Sequence, residues 1–173
     1  VARISDMLLC PGEIFPYNGK EMKYQDIKLV YWAGGNPFHH QMNLKKLVKA
    51  FKQPDSIIVN EIWWNSLARH SDIILPANTS IEKNDIGIRH WDQTISPMQK
   101  IIEPIGESKS DYEIFSEISA KLNFKDKFTE NRNEDQWLRC MWEEAKEGAK
   151  ESGFNLPEFD KFWKNGFQEV LSP

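Results

Sequence analysis

Tyr31-Trp32-Ala33-Gly34-Gly35-Asn36-Pro37-Phe38-His39-His40 is the stretch on which the fold of this chain turns. The run leading into it, Ile27 to Trp32, is apolar and made of strand formers, and it breaks abruptly into a glycine pair and a polar loop. That order spells a buried strand, a tight turn that a ligand can approach closely, and a helix whose N-terminal amides suit an anion. Leu44, Leu47, Val48 and Phe51 then recur at helical spacing, with Lys45, Lys46, Lys49 and Lys52 on the other faces and Pro54 ending the pattern. Ser56-Ile57-Ile58-Val59-Asn60 is a second apolar run. Strand, loop, helix and strand therefore fit within about 35 residues, the size of one βαβ unit, and parallel pairing follows.

Outward from this core, Trp63 to His70 is read as a short crossover helix, with Trp63 and Trp64 as packing residues. Asp72-Ile73-Ile74-Leu75-Pro76 is a third strand closed by its proline. Ala77 to Pro104 has poor periodicity, mixing Asn84-Asp85-Ile86-Gly87, Trp91 and Pro97, and is read as a long binding loop. Upstream, Val1 to Lys23 is an extended lead-in carrying the patch Met7 to Cys10, and Asn18-Gly19 suits a two-residue hairpin turn between Glu13–Tyr17 and Lys20–Tyr24.

Towards the other end, Ser110-Asp111-Tyr112-Glu113 matches a capping box and starts a helix to about Leu122. Asn133 and Gln136 start another, with Trp137, Leu138, Met141, Trp142 and Ala145 on its apolar face, and Pro157 to Asn165 adds a further turn or two. No repeat or linker divides the chain, so residues 1–173 are expected to form a single α/β nucleotide-binding domain: a Rossmann-like open parallel sheet with flanking helices and an N-terminal extended segment or hairpin.

The 173 residues suffice for one domain with a sizeable core, or for one piece of a larger protein. With 22 basic against 26 acidic residues, a net charge of -4, there is no basic face for nucleic acid. Cys10 and Cys140 lack the spacing of a zinc cluster or a disulfide framework. No run approaches the roughly 18 apolar residues that cross a bilayer, so no membrane insertion is expected. The start lacks both an initiator Met and a signal-peptide layout, which is read as the mark of an excised piece without a targeting segment.

In an open parallel sheet ligands sit beyond the carboxyl ends of the strands. Strand one delivers Gly34, Gly35, Asn36, His39 and His40 there, strand two Asn60 and Glu61, and strand three leads through Pro76–Ser80 to Lys83. A glycine turn for a diphosphate, plus an acid that accepts from ribose hydroxyls or a purine, is the logic of a nucleotide pocket. No nucleophile–base pair, paired carboxylates or three-ligand metal set appears, so neither a catalytic residue nor a metal ligand is assigned.

Trp32 to His40 resembles the molybdopterin oxidoreductases of the dimethyl sulfoxide, trimethylamine N-oxide and biotin sulfoxide reductase group. The likeness continues through Asn60-Glu61, Ala68 to Pro76, Thr79 to Gly87, Ile102 to Glu107, Asp111-Tyr112, Phe128 to Glu130 and Trp137-Leu138, nearly the whole chain. It implies one nucleotide-binding domain from the middle of a longer catalytic subunit. That subunit would reduce N-oxides or S-oxides by oxygen-atom transfer at a molybdenum held by two molybdopterin guanine dinucleotides. The cofactor belongs to the parent enzyme, and the isolated piece need not retain it.

By the same resemblance, Gly34, Gly35, Asn36 and His40 contact the diphosphate and sugar of one dinucleotide, Asn60 and Glu61 its guanosine, and Lys83 and Asp111 the remaining polar edge. The implied partners are the remaining domains of the reductase and a small oxide substrate. The implied compartment is the periplasm, or the cytoplasm for a biotin sulfoxide reductase. Gln41 stands where relatives often continue with a third histidine, Ile88 to Gln99 follows the family pattern poorly, and Lys83 replaces a common arginine, keeping the charge without the planar fork. The alternative is a free-standing guanine-nucleotide-binding or interaction module without catalysis.

Overall fold

A computed structural model describes residues 3–88, 94–166 and 168–169. Its contacts group the chain into two compact units, Val1–Ala77 and Asn78–Pro173. The chain is α/β, as expected, with a parallel sheet and flanking helices.

The first unit is built on a three-stranded parallel sheet of β3 (Leu29–Ala33), β4 (Ser56–Glu61) and β5 (Ile73–Pro76), in that order. β4 is central and the most deeply placed, with Ile57 and Val59 buried on one face. Between β3 and β4 lie a one-turn helix, α2 (Pro37–His40), and the lysine-bearing α3 (Leu44–Ala50). Phe38, Leu47, Ala50 and Phe51 pack with Ile57, Val59 and Leu67 into one core. The βαβ reading holds, but the helix that follows the glycine turn directly has only four residues. The lysine helix starts afresh at Asn43, whose side chain accepts from the Lys46 amide.

Before the sheet, β1 (Ile14–Tyr17) and β2 (Lys20–Lys23) form the expected hairpin, Tyr17 pairing with Lys20. Asn18 and Gly19 both have positive φ, 48° and 73°, as a two-residue hairpin turn matched to strand twist requires. The patch Met7 to Cys10 is not extended: Ile4–Leu9 is a helix, α1. Ile4 and Leu8, one turn apart, both reach the core, and Asp6 pairs with Lys46 of α3. The expected crossover helix at Trp63–His70 reduces to a 3-10 turn at Ala68–His70. Trp63 and Trp64 are not packed within this unit, each remaining about two-thirds exposed (66% and 67%).

The second unit corrects the reading of Ala77–Pro104 as a loop. β6 (Asp85–Gly87) and β7 (Thr94–Met98) pair antiparallel, and β7 also pairs with β8 (Gln168–Glu169). Trp91 lies outside the described residues. Pro97 is tolerated in the middle strand because, among the described residues, β8 pairs with Thr94 and Ile95 alone and β7 has one neighbour at Pro97. The expected helices are present as α4 (Asp111–Lys121), α6 (Glu134–Glu151) and α7 (Phe159–Asn165), with a short α5 (Lys125–Thr129) that the sequence reading did not anticipate. α4 and α6 each begin with a complete capping box, at Ser110/Glu113 and Asn133/Gln136.

The second core centres on Trp142, whose ring stacks on Phe162 at 3.8 Å and whose indole N–H donates to the Pro157 carbonyl at 2.9 Å. Ile95, Leu138 and Phe159 complete it. Replacing Trp142 with alanine removes a fully buried aromatic and orphans its acceptor. Trp142→Ala is expected to destabilise the chain by about 3–5 kcal/mol in urea titrations, while the neighbouring exposed Met141→Ala shifts it by less than about 0.5 kcal/mol.

Candidate binding edge of the parallel sheet

β3 and β4 pair with Ala33 opposite Asn60, so Gly34–Asn36 leave the sheet beside Asn60 and Glu61. The turn is left-handed at both glycines, with φ +78° at Gly34 and +70° at Gly35, a conformation that side-chain-bearing residues resist. A Cβ at either position would meet nothing within 4 Å, so the backbone faces open space. Asn36 is buried; its Oδ1 accepts from the Phe38 amide at 2.9 Å and caps α2. Its Nδ2 is buried with no partner among the described residues. An orphaned buried amide donor is costly unless something accepts from it, and here it lies beside an open glycine cradle.

Phe38 anchors this turn from below, edge-on to Phe51 at 5.1 Å and stacked on His70 at 4.4 Å. His39 and His40 end α2 on the exposed side. Across the edge, buried Asn60 accepts at Oδ1 from the Tyr31 hydroxyl at 2.7 Å. Glu61 folds back on its own loop: Oε1 accepts from the amides of Ile62 and Trp63, and Oε2 from Asn65 Nδ2 at 2.7 Å. A carboxylate offers about four acceptor positions, so one, on Oε2, is left unused among the described residues. Asn65 was missed by the sequence reading. Its Oδ1 accepts from the Leu67 and Ala68 amides, and an asparagine at a turn start is the signal that could have found it.

The structure thus brings Gly34, Gly35, Asn36, Asn60 and Glu61 to one sheet edge, with His40 one turn beyond. Lys83 and Asp111 belong to the second unit. Lys83 pairs with Asp85 at 3.0 Å and lines a cleft of about 320 Å³ with Asn78, Glu82, Asn84, Lys100 and Glu134. Asp111, exposed in the first turn of α4, is not among the described residues lining that cleft. Burial pushes the Glu134 carboxyl above its ordinary value, and Glu113 adds repulsion, against the lowering by the Ser110 hydroxyl and Lys83.

Glu82 is a second omission from the sequence reading. It is buried, yet its carboxylate is satisfied: Oε2 accepts from the Thr79 amide at 2.7 Å and hydroxyl at 2.5 Å, and Oε1 from the Ile105 amide at 2.7 Å. The Thr79-x-x-Glu82 spacing, that of a capping box, was the available signal. Among the described residues no group of three or more His, Cys, Asp or Glu is placed to hold a metal, and no helix is long and apolar enough to cross a membrane.

Fold and edge together define an α/β protein that gathers backbone amides, side-chain amides and one carboxylate at the carboxyl ends of parallel strands, with no metal-holding cluster of His, Cys, Asp or Glu among the described residues. The family model for molybdopterin oxidoreductase matches residues 11–121, and the chain belongs to that family. Its relatives include a biotin sulfoxide reductase of Cereibacter sphaeroides, 44% identical over 96% of this chain and 22% of the relative. A trimethylamine-N-oxide reductase of Haemophilus influenzae is 44% identical over 94% of this chain and 20% of that protein. A dimethyl sulfoxide/trimethylamine N-oxide reductase of Rhodobacter capsulatus is 42% identical over 98% and 21%. The chain spans about a fifth of the length of these relatives. Acetylene hydratase from Pelobacter acetylenicus shares the fold, with a TM-score of 0.62 at 16% identity over 98% of this chain and 20% of that one.

Hydrogen bonds from Thr79 and Ile105 hold the Glu82 carboxyl below the ordinary glutamate range, so its stabilising contribution is present above pH of about 4.5 and is lost as pH falls through the lower folded value. Glu82→Gln is therefore expected to lower the urea midpoint near neutral pH, with the gap to the parent closing in more acidic buffer. An equal gap at every pH would show that the charge is not what matters.

Proposed function

We propose that this chain is the segment of an N-oxide or S-oxide reductase that binds one molybdopterin guanine dinucleotide, with the glycine turn taking its diphosphate. The observation that carries this reading is the orphaned Asn36 Nδ2 beside Gly34 and Gly35, whose positive φ and open Cβ positions leave room for a charged group against the backbone. Successive peptide amides in such a turn form a concavity suited to an anion. Because α2 is so short, the turn and not a helix dipole supplies this attraction. Donors that need an acceptor fit a diphosphate, which is an acceptor throughout.

In this reading Gly35 and Asn36 present backbone N–H groups and the Asn36 side chain a third donor. Asn60 and Glu61 at the neighbouring strand end hold the guanosine, the free Oε2 position of Glu61 accepting from a hydroxyl or ring N–H. His40 adds a donor at the rim; for Lys83 and Asp111, which belong to the second unit, contact with the remaining polar edge of the dinucleotide rests on the family resemblance alone, Lys83 as a point charge. The bound molybdenum cofactor supplies oxygen-atom transfer, and this segment orients it. The other domains of the parent reductase and a small oxide substrate are its partners. By family resemblance the parent works in the periplasm, or in the cytoplasm as a biotin sulfoxide reductase.

The likeness to trimethylamine-N-oxide, dimethyl sulfoxide and biotin sulfoxide reductases supports the parent activity. Calorimetric titration of the chain with GDP is expected to show binding, weakened about tenfold or more in each of Asn36→Ala, His40→Ala and Glu61→Ala. Equal affinity in all three variants would overturn the residue assignments. The chain alone is expected to show no oxide reduction with a reduced viologen, and measurable turnover would refute its reading as a non-catalytic segment.

A further inference from the structure

We infer that Trp32 is a positioning residue for the glycine turn, its indole N–H fixing the direction in which the Gly35 and Asn36 amides point. The inference rests on the dinucleotide reading for its purpose, though not for its geometry. Trp32 is the penultimate residue of β3, opposite Val59, and its ring lies 6.5 Å from that of Phe51 on the core side. The indole N–H donates to two carbonyls at once, Gly34 O at 2.8 Å and Gly35 O at 3.2 Å.

In a trans peptide the C=O of one residue and the N–H of the next point in opposite directions. Tying the carbonyls of Gly34 and Gly35 to one donor therefore turns the amides of Gly35 and Asn36 away from the indole, side by side. Neither amide has a backbone or side-chain acceptor among the described residues. This is the arrangement a diphosphate needs, and the glycines cannot maintain it unaided. Glycine populates positive and negative φ about equally, and no side chain crowds either position from outside. The residue type that gives the ligand access also leaves each peptide free to flip. Indole is suited to restrain it, because its nitrogen only donates and so cannot stabilise the flipped peptide, which would present N–H to N–H.

The test separates the N–H from the ring. In the 173-residue chain, Trp32 alone is replaced by phenylalanine and, by site-specific incorporation, by 3-benzothienylalanine, which keeps the bicyclic shape and exchanges N–H for sulfur. Backbone 15N order parameters at Gly35 and Asn36 are expected to fall from about 0.85 to below about 0.6 in both variants. GDP affinity is expected to drop about tenfold, while the benzothienyl variant keeps the parent melting temperature. Unchanged order parameters in the benzothienyl variant overturn the inference whatever GDP does. Order parameters that fall in a chain whose parent form does not bind GDP uphold the positioning role and overturn the dinucleotide reading instead. A benzothienyl variant that matches the parent in both measurements while the phenylalanine variant loses both would assign the effect to ring packing and also overturn it.

Discussion

The parallel pairing of β3 with β4 is the constraint from which the rest of the first unit follows. With Ala33 opposite Asn60, both strands release their chains at the same level, so a glycine turn and a polar pair distant in sequence meet at one edge. A register shift of a single residue would turn Ile57 and Val59 out of the core and Asn60 into it. The burial that holds the sheet together therefore also sets the relative height of the glycine turn and the Asn60–Glu61 pair.

At that edge the chain balances access against order. Gly34 and Gly35 open the backbone because they lack side chains, and order is restored from two sides: Phe38 wedged against Phe51 and His70, and the Trp32 indole across both carbonyls. Glu61 is treated differently. Most of its acceptor capacity is spent on Ile62, Trp63 and Asn65, which makes it a loop organiser with one position to spare. The exposed Trp63 and Trp64 sit on a loop fixed by this carboxylate, a large apolar surface held in place by a charged group.

The second unit uses the same device with a different result. Glu82 joins Thr79 to Ile105 through three hydrogen bonds and gathers a segment that has little core of its own. Its neighbour Lys83 thereby faces a cleft lined by acids and amides, paired with Asp85 and close enough to Glu134 to moderate that residue's raised pKa. The energetic weight of the unit lies elsewhere, in the stack of Trp142 on Phe162, and α6, which carries Trp142, also supplies Glu134 to the cleft.

Elements governed by local chemistry were legible from residue order alone. The Asn18-Gly19 hairpin, the capped starts of α4 and α6, the spacing of α3 and the three parallel strands depend on turn residues, caps and periodicity within a short window. The candidate site was legible where it rests on glycines and strand ends, and the family likeness reached further than periodicity did. The antiparallel pairing of β6, β7 and β8 was not legible, because its strands are short and one partner lies some seventy residues away. Nor were the orphaned Asn36 amide, the self-bound Glu61 and the Trp32 bridge, since a side chain's hydrogen-bond partner depends on which backbone groups the folded chain brings within about 3 Å. Sequence by itself determined which residues can donate, accept or turn the chain; tertiary structure alone decided which of those capacities are consumed internally and which are left for a ligand.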